Sequence, residues 1–407
     1  MGDKKIIDYD QNIGTMNIAK LFLVYLTTNL CGFVRNAGAL MYRSPVKLIR
    51  SEGHTCDVHE VQTEDGYILE LHRVSARMKS KEKRINKPVL LNHGVLFSSV
   101  QFALNGKNNS LAFYLADLGY DVWLFNNRGN SVSMKHKVWD PDNNTKEFYD
   151  YSFHEIGMYD IPPVIDYILN ETNSEQLSYI GYSQGGTSFY IMASTRPEYN
   201  KKISVAVLVA PSSIMRNSFN MFLNILSRVI YTLEDMTRTL GIYRLPFLDY
   251  FRRFFIMFSA PGIIRNWITL PAHVQVLQTQ HVDETLLPKM YYYSPTYTSS
   301  RQLFHYGQLI HSGKFRQYDY GKKENLKRYN STEPPCYDLE KVTAPIVLYY
   351  GDSDALVTEK DIEIVSEILP NLVYRRLLKG YQHSDFFNGV DQVKDFYGEL
   401  ADFLNKY

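Results

Sequence analysis

The five residues Gly181-Tyr182-Ser183-Gln184-Gly185 match the pattern G-x-S-x-G, in which a serine stands in a tight turn between a strand and a helix. The apolar run Leu177 to Ile180 precedes the motif and predicts a buried strand. Phe189 to Ala193 follows it with the spacing of a helix. Glycine at 181 and 185 leaves room for the sharp turn, and the start of the helix helps to stabilise an oxygen that gains negative charge. The stretch therefore predicts a nucleophile at Ser183.

A serine hydroxyl needs a base and an orienting acid to act as a nucleophile. The predicted strand Leu372 to Leu378 leads into Gly380-Tyr381-Gln382-His383, so we expect His383 to be the base. The predicted strand Pro345 to Tyr350 leads into two candidate acids, Asp352 and Asp354. We favour Asp354 because it lies further past the strand end, where a side chain can turn back toward the histidine. Asp352 suits hydrogen bonds to main-chain amides of the turn.

The tetrahedral intermediate of acyl transfer needs two N–H donors for its oxyanion. The residue after the nucleophile, Gln184, provides one main-chain N–H. A second is expected from a loop after an early strand, and Val95 follows the predicted strand Pro88 to Asn92 by three residues. We therefore predict an oxyanion hole made by the main-chain N–H groups of Val95 and Gln184. His93 is interpreted as a structural residue that supports the loop through its ring nitrogens.

Strands and helices alternate along most of the chain, which indicates a mostly parallel sheet covered on both faces. A hairpin from Cys56 to Val74 turns at Glu64-Asp65-Gly66. Arg128, in a loop after the strand Tyr120 to Phe125, is interpreted as a structural anchor. Asp160 is interpreted as the N-cap of the helix that precedes the elbow strand, because two prolines follow in its first turn.

The alternation breaks after the strand Ile203 to Ala210 and resumes at Val342. We assign 44–213 and 341–407 to the core and 214–340 to an inserted, largely helical cap. The first half of the cap has long apolar and aromatic stretches at helical spacing, including FLDYFRRFFIMFSAPGII at 247–264. The cap has more large apolar side chains than packing on the core requires, which indicates an interface with lipid or protein. A lid that opens on a lipid surface would bury them and uncover the serine.

Residues 1–43 form a leader with an apolar segment from Leu21 to Val34. The segment is short for a membrane span but suits a signal-peptide core, and Ala37-Gly38-Ala39 supplies a cleavage pattern. The alternatives are an uncleaved anchor, a hairpin in a lipid monolayer, or an ordinary surface helix. Cleavage near Ala39 predicts a secretory or lysosomal protein, and retention predicts a membrane-anchored protein of the endoplasmic reticulum or a lipid droplet. Sequons that could carry glycans begin at Asn108, Asn143, Asn170 and Asn330.

The charge balance and the cysteines exclude several classes of function. The 44 basic residues nearly match the 43 acidic residues, so no global field recruits nucleic acid. The three cysteines, Cys31, Cys56 and Cys336, form neither a metal-binding spacing nor a disulfide framework. No cofactor, metal or obligate protein partner is predicted. The apolar cap predicts a partner with an apolar acyl group at a lipid–water interface, on a membrane or a lipid droplet.

Roughly from Arg50 to its C-terminus, the chain resembles the acid lipase family of α/β-hydrolases, which includes gastric and lysosomal acid lipases and steryl ester hydrolases. The resemblance rests on the elbow and on the stretches 61–73, 90–96, 108–130, 311–321 and 380–386. It implies an α/β-hydrolase fold with a mostly parallel central sheet, helices on both faces and a cap inserted before the penultimate strand. The family's catalytic triad maps onto Ser183, Asp354 and His383, and its oxyanion donors map onto Val95 and Gln184.

The resemblance implies cleavage of long-chain esters, either triacylglycerols or steryl esters, through an acyl-serine. Two departures from the family stand out. The elbow reads G-Y-S-Q-G-G, where better-known secreted members have G-H-S-Q-G-T. The cap also lacks the cysteine pair that forms a disulfide in the mammalian secreted enzymes. The alternatives are an acyltransferase that uses the same acyl-serine, or a non-catalytic lipid-binding relative.

Overall fold

The computed structural model describes residues 44–76, 85, 87–245, 281 and 286–407. Within these ranges the protein is built on a nine-stranded sheet of order β1-β2-β4-β3-β6-β7-β8-β9, with β5 paired to β2. The strands are β1 Thr55–Gln62, β2 Tyr67–Ser75, β3 Pro88–Asn92, β4 Asp121–Phe125, β5 Lys135–His136, β6 Leu177–Tyr182, β7 Ile203–Val209, β8 Ile346–Gly351 and β9 Leu372–Leu378.

The sheet is mostly parallel, as the sequence predicts. Strands β3, β4, β6, β7, β8 and β9 pair in parallel, whereas β1, β2 and β5 make antiparallel pairs. Every residue of β3, β6 and β8 is buried, which is typical of parallel strands covered on both faces. Because parallel strands end at one edge, the loops after β3, β6, β8 and β9 meet there.

The hairpin of β1 and β2 turns where the sequence places it, and Gly66 adopts φ +102°. The helices outside the cap are α1 Pro45–Ser51, α2 Leu111–Asp117, α3 Thr145–Phe148, α4 Phe153–Glu155, α5 Ile161–Thr172, α6 Gln184–Thr195, α12 Glu359–Ile368, α13 Asp385–Asn388 and α14 Gly398–Lys406. Short 3₁₀ helices span Ser99–Phe102, Pro197–Lys202 and Leu339–Lys341, and π-helical turns span Ile156–Asp160 and Val393–Tyr397.

In the insertion between β7 and β8, the regular elements that the structure describes are helices. Its helices are α7 Met221–Arg228, α8 Ile230–Thr239, α9 Leu287–Tyr293, α10 Ser300–Ser312 and α11 Lys322–Tyr329. The aromatic stretch at 247–264 lies outside the described residues, as do the leader 1–43, its cleavage pattern and Cys31. Among the helices that are described, none combines the length and apolar character needed to cross a membrane.

Asp160 occupies the N-cap position of α5 and proline lies in the first turn, as the sequence predicts, but the Asp160 side chain does not cap the helix. Helix α5 continues directly from the π-helical turn that ends at Asp160. Its carboxylate instead accepts a hydrogen bond from Nε of Arg128 at 2.8 Å. A buried guanidinium that must be paired outweighs the modest free energy of an N-cap.

Candidate active site

Ser183 stands at a strained turn between β6 and α6. Its backbone has φ 51° and ψ −112°, a conformation that L residues rarely adopt. A Cβ at Gly185 would lie 2.1 Å from the main-chain oxygen of Asn92, and one at Gly181 would lie 2.8 Å from the main chain of Gly185. Both elbow glycines are therefore required by close backbone approaches, and Ser183 projects at the carboxyl edge of the sheet.

A hydrogen-bonded chain joins the serine to a histidine and an aspartate from two later strands. Nε2 of His383 lies 2.8 Å from Oγ of Ser183, and Nδ1 lies 2.7 Å from Oδ2 of Asp354. His383 is 8 % exposed, Ser183 is 5 % exposed and Asp354 is 1 % exposed. The imidazole can accept the serine proton on one nitrogen while the carboxylate holds the proton on the other.

Both candidate acids lie in the loop after β8, and their contacts show which one faces the histidine. Oδ1 of Asp354 accepts hydrogen bonds from the amides of Leu356 at 2.8 Å and Val357 at 3.0 Å, which fixes the carboxylate beside His383. The exposed Asp352 accepts a hydrogen bond from the amide of Gly380 at 2.7 Å and so ties this loop to the one after β9. The structure brings Asp354, and not Asp352, to the histidine.

The turn after β3, residues 93–96, lies against the nucleophile, and we call it the oxyanion turn. A Cβ at Gly94 would be only 3.5 Å from Cβ of Ser183, so the next residue, Val95, follows directly at the serine. The amide of Gln184 begins helix α6, where the first N–H groups have no partner within the helix. Neither amide donates a hydrogen bond to another described residue. Binding of an oxyanion by these two amides stays a prediction.

His93 supports this turn from the core. Its Nδ1 donates to the main-chain oxygen of Gly94 at 2.7 Å, and its Nε2 accepts from the amide of Asn127 at 3.2 Å. Burial lowers the pKa of His93 to about 4, so the ring stays neutral and keeps one donor and one acceptor nitrogen. The ring fixes the oxyanion turn to the loop after β4, in agreement with the structural interpretation of this histidine.

Comparisons with known proteins reveal the family to which this site belongs. Residues 87–390 match the sequence model of the alpha/beta hydrolase fold, and residues 45–106 match that of the partial alpha/beta-hydrolase lipase region. The chain is 32 % identical to human gastric triacylglycerol lipase over 96 % of this chain and 98 % of the relative. It is 35 % identical to Lipase 1 of Drosophila melanogaster over 88 % of this chain and 79 % of the relative.

The chain belongs to the acid lipase family of α/β-hydrolases. A third relative, from Crotalus adamanteus, is named putative lysosomal acid lipase/cholesteryl ester hydrolase, and its identity is 32 % over 88 % of this chain and 90 % of the relative. Among solved structures, a soluble variant of monoglyceride lipase from Saccharomyces cerevisiae matches with a TM-score of 0.53 at 17 % identity, covering 86 % of this chain and 96 % of that one. The structural match supports the fold alone.

Arg128, predicted to be an anchor, is buried in this acid lipase between two carboxylates. Its guanidinium donates to Asp65 at 2.6 Å and 3.0 Å and to Asp160, and it lies 4.0 Å from the ring centroid of Tyr67. The positive charge of Arg128 is therefore balanced by these two carboxylates inside the protein. The Arg128 guanidinium lowers the pKa of Asp65 against the opposing effect of burial.

Two residues that contact the reacting groups escaped the sequence analysis. The hydroxyl of Tyr182 donates to the main-chain oxygen of His383 at 2.5 Å, and Oγ of Ser212 lies 3.4 Å from Oγ of Ser183. Tyr182 occupies a variable position of the serine motif, so the pattern assigns it no role. Better-known acid lipases have a histidine at this position, and that difference was the signal that could have singled out Tyr182. Ser212, after β7, carried no signal in the sequence.

The remaining predicted positions lie at the surface or in the packing. Side chains at all four sequons are exposed, namely Asn108, Asn143, Asn170 and Asn330, so their glycosylation stays a prediction. Cys56 is buried and Cys336 is exposed, and neither forms a disulfide with a described residue. Over the described part of the chain, no group of three or more His, Cys, Asp or Glu side chains has a metal-binding arrangement.

Proposed function

We propose that this protein hydrolyses carboxylic esters of long-chain lipids through an acyl-serine formed at Ser183. The observation that carries the proposal is the hydrogen-bonded chain from Ser183 through His383 to Asp354, with distances of 2.8 Å and 2.7 Å. The names of the relatives, gastric triacylglycerol lipase and lysosomal acid lipase/cholesteryl ester hydrolase, support a triacylglycerol or a steryl ester as substrate.

In the proposed reaction, His383 removes the proton of Ser183 as the serine oxygen attacks the ester carbonyl carbon. Asp354 holds the imidazole tautomer and stabilises the imidazolium, while the amides of Val95 and Gln184 bind the oxyanion. The carbon–oxygen bond to the alcohol then breaks, and His383 returns the proton to the leaving alcohol. Water, deprotonated by His383, then attacks the carbonyl carbon of the acyl-serine. The bond from this carbon to Oγ of Ser183 breaks, His383 returns the proton to Ser183, and the fatty acid is released.

Replacement of the nucleophile tests this proposal. The Ser183→Ala variant is expected to lose ester hydrolysis by about 10⁵-fold or more and to lose covalent labelling by a fluorophosphonate. Ser194→Ala is the matched control, because it removes a similarly buried hydroxyl that donates to the main-chain oxygen of Ile191 at 3.1 Å and leaves the contact between Ser183 and His383 in place. Hydrolysis that survives Ser183→Ala would defeat the proposal. Labelling of the wild-type enzyme argues against a non-catalytic lipid carrier.

Product analysis separates hydrolysis from acyl transfer to an alcohol. Both reactions pass through the acyl-serine and differ only in whether water or an alcohol attacks it. The enzyme is incubated with triolein in the presence of cholesterol or glycerol, and free acid and new ester are measured. Free oleic acid as the main product supports a hydrolase, whereas predominant formation of new ester would assign the chain to the acyltransferases.

We propose that the cap docks on a lipid surface. Large apolar side chains of the described cap are exposed to solvent, among them Phe219 57 %, Ile225 58 %, Val229 49 % and Leu240 45 %. Such exposure supports contact with lipid, since apolar side chains stabilise binding when they leave water.

The cap proposal is tested by comparing soluble and emulsified substrates. The double variant Phe219→Ser/Ile225→Ser is expected to hydrolyse emulsified triolein at least about 10-fold more slowly while keeping its rate on soluble p-nitrophenyl butyrate. Val138→Ser is the control, because Val138 is 77 % exposed but lies outside the cap. Equal effects on both substrates would count against a lipid-docking cap.

We also propose that the protein enters the secretory route and reaches the exterior or a lysosome. The relatives named gastric and lysosomal support this route, and Ala37-Gly38-Ala39 supplies the cleavage pattern. Sequencing of the mature N-terminus tests the proposal. A start near Leu40 is expected, and a retained leader would instead support an anchored protein.

A further inference from the structure

The residue immediately before the nucleophile occupies a restricted place in the elbow. Tyr182 is the last residue of β6 and is only 4 % exposed. The ladder to β7 and the strained conformation of Ser183 fix its main chain on both sides. Its side chain extends toward the loop that carries His383.

The Tyr182 side chain contacts two of the loops that build the site. Its hydroxyl donates to the main-chain oxygen of His383 at 2.5 Å. Its ring lies so close to Gly94 that a Cβ there would be 3.2 Å away, and it packs edge-on against Phe387 with centroids 4.9 Å apart. One side chain therefore spans the oxyanion turn and the histidine loop.

His383 needs such support because it lies between regular elements. Strand β9 ends at Leu378 and helix α13 begins at Asp385, so neither a strand ladder nor a helix holds its main chain. Its ring must still meet Ser183 on one side and Asp354 on the other. Misplacement of a reacting group by 1 Å can cost about 100-fold in rate.

On this basis we propose that Tyr182 is a positioning residue that holds His383 against Ser183 through the hydrogen bond to the His383 main-chain oxygen. The inference rests on the proposed function, since it assigns Tyr182 to the same reaction. Burial raises the pKa of Tyr182 well above its usual value, and the carboxylates of Asp354 and Asp385 raise it further. The hydroxyl therefore stays protonated and remains a donor at every pH at which the enzyme could work.

The test is Tyr182→Phe, which removes the hydroxyl and keeps the ring. With p-nitrophenyl butyrate as substrate, kcat is expected to fall roughly 10- to 100-fold while KM changes by less than about threefold, because chemistry and not ester binding is affected. A purely structural tyrosine would lower the amount or stability of folded enzyme without this split. A fall in kcat below about fivefold, or a loss that resides in KM, would overturn the inference.

The matched control is Tyr120→Phe. Tyr120 is also 4 % exposed, and its hydroxyl also donates to a main-chain oxygen, that of Ala401 at 3.2 Å, but it precedes β4 at the opposite end of the sheet. Both variants should melt at similar temperatures, and Tyr120→Phe should keep the wild-type kcat. An equal loss of kcat in the two variants would assign the effect to stability and overturn the inference.

A second replacement keeps a donor at position 182. Incorporation of p-aminophenylalanine there provides an N–H for the His383 oxygen, whereas p-fluorophenylalanine provides similar size without a donor. The amino analogue is expected to restore kcat at least about fivefold over the fluoro analogue, and equal rates would overturn the inference. These outcomes are separate from those of Ser183→Ala: activity that survives Ser183→Ala defeats the proposed function, whereas wild-type kinetics of Tyr182→Phe defeat only the role of Tyr182.

Discussion

Oδ2 of Asp354 lies 2.7 Å from Nδ1 of His383, on the opposite side of the ring from Ser183. Because the carboxylate selects the imidazole tautomer, Asp354→Asn is expected to lower kcat on a soluble ester by about 10³- to 10⁴-fold. The check is steady-state kinetics on p-nitrophenyl butyrate with enzyme whose folding is confirmed by circular dichroism.

Asp352→Asn provides the matched control for the triad acid. Its carboxylate accepts a hydrogen bond from the Gly380 amide and does not contact His383, so kcat should fall by no more than about 10-fold. If Asp352→Asn were the more damaging change, the acid role would pass to Asp352.

Gly185→Ala is expected to destabilise the fold, because its Cβ would lie 2.1 Å from the main-chain oxygen of Asn92. Neither backbone can move without disturbing β3 or the elbow, and the free energy of unfolding should fall by about 3 kcal/mol. Urea unfolding followed by fluorescence measures the change. In Gly398→Ala the new Cβ meets only Oη of Tyr114 at 3.9 Å, so this control should be neutral or stabilising by about 0.5 kcal/mol. Similar losses in both variants would contradict the steric argument.

Arg128→Met should lower the free energy of unfolding by about 3 to 5 kcal/mol, because it leaves the fully buried carboxylate of Asp160 without its cation. Thermal and urea unfolding provide the measurement. Arg196→Met, which removes the pair with the exposed Glu198, should cost no more than about 1 kcal/mol. A small effect at Arg128 would mean that Asp160 is neutral or hydrated in the folded protein.

Stability is expected to fall with acidification because two buried histidines resist protonation. Burial lowers the pKa of His93 to about 4 and that of His305 to about 3, from the ordinary 6.5. Below pH 6.5 the unfolded chain binds these protons and the folded protein does not, so the contribution is complete above pH 6.5 and is lost as the pH falls. Each histidine should cost about 2 to 3 kcal/mol between pH 6.5 and pH 4.5.

The pH prediction is checked by urea unfolding at both pH values in wild type and in His305→Gln. The variant should be less stable at pH 7, because His305 loses its hydrogen bond to the Arg316 main chain, but its stability should fall less on acidification. His311→Gln removes an exposed histidine and should keep the wild-type dependence on pH. An unchanged slope in His305→Gln would show that His305 is already protonated in the folded protein.

The sequence alone predicts the parallel sheet, the elbow at Ser183 and the order of its partners, because these depend on neighbours along the chain. Hydrophobic periodicity determines where strands lie, and small residues must flank a strained serine. The observed strand ends differ from the predicted ones. The elbow strand continues to Tyr182, and the strand predicted to start at Pro345 spans Ile346–Gly351.

Only the tertiary structure decided which side chains meet. The choice between Asp352 and Asp354 depends on how the loops after β8 and β9 pack, and the partner of Asp160 depends on the buried charge of Arg128. The contact of Tyr182 with the His383 main chain joins residues 201 positions apart. Spacing along the sequence carries no information about such pairs, because burial and the need to satisfy each polar group select them only when the loops are packed together.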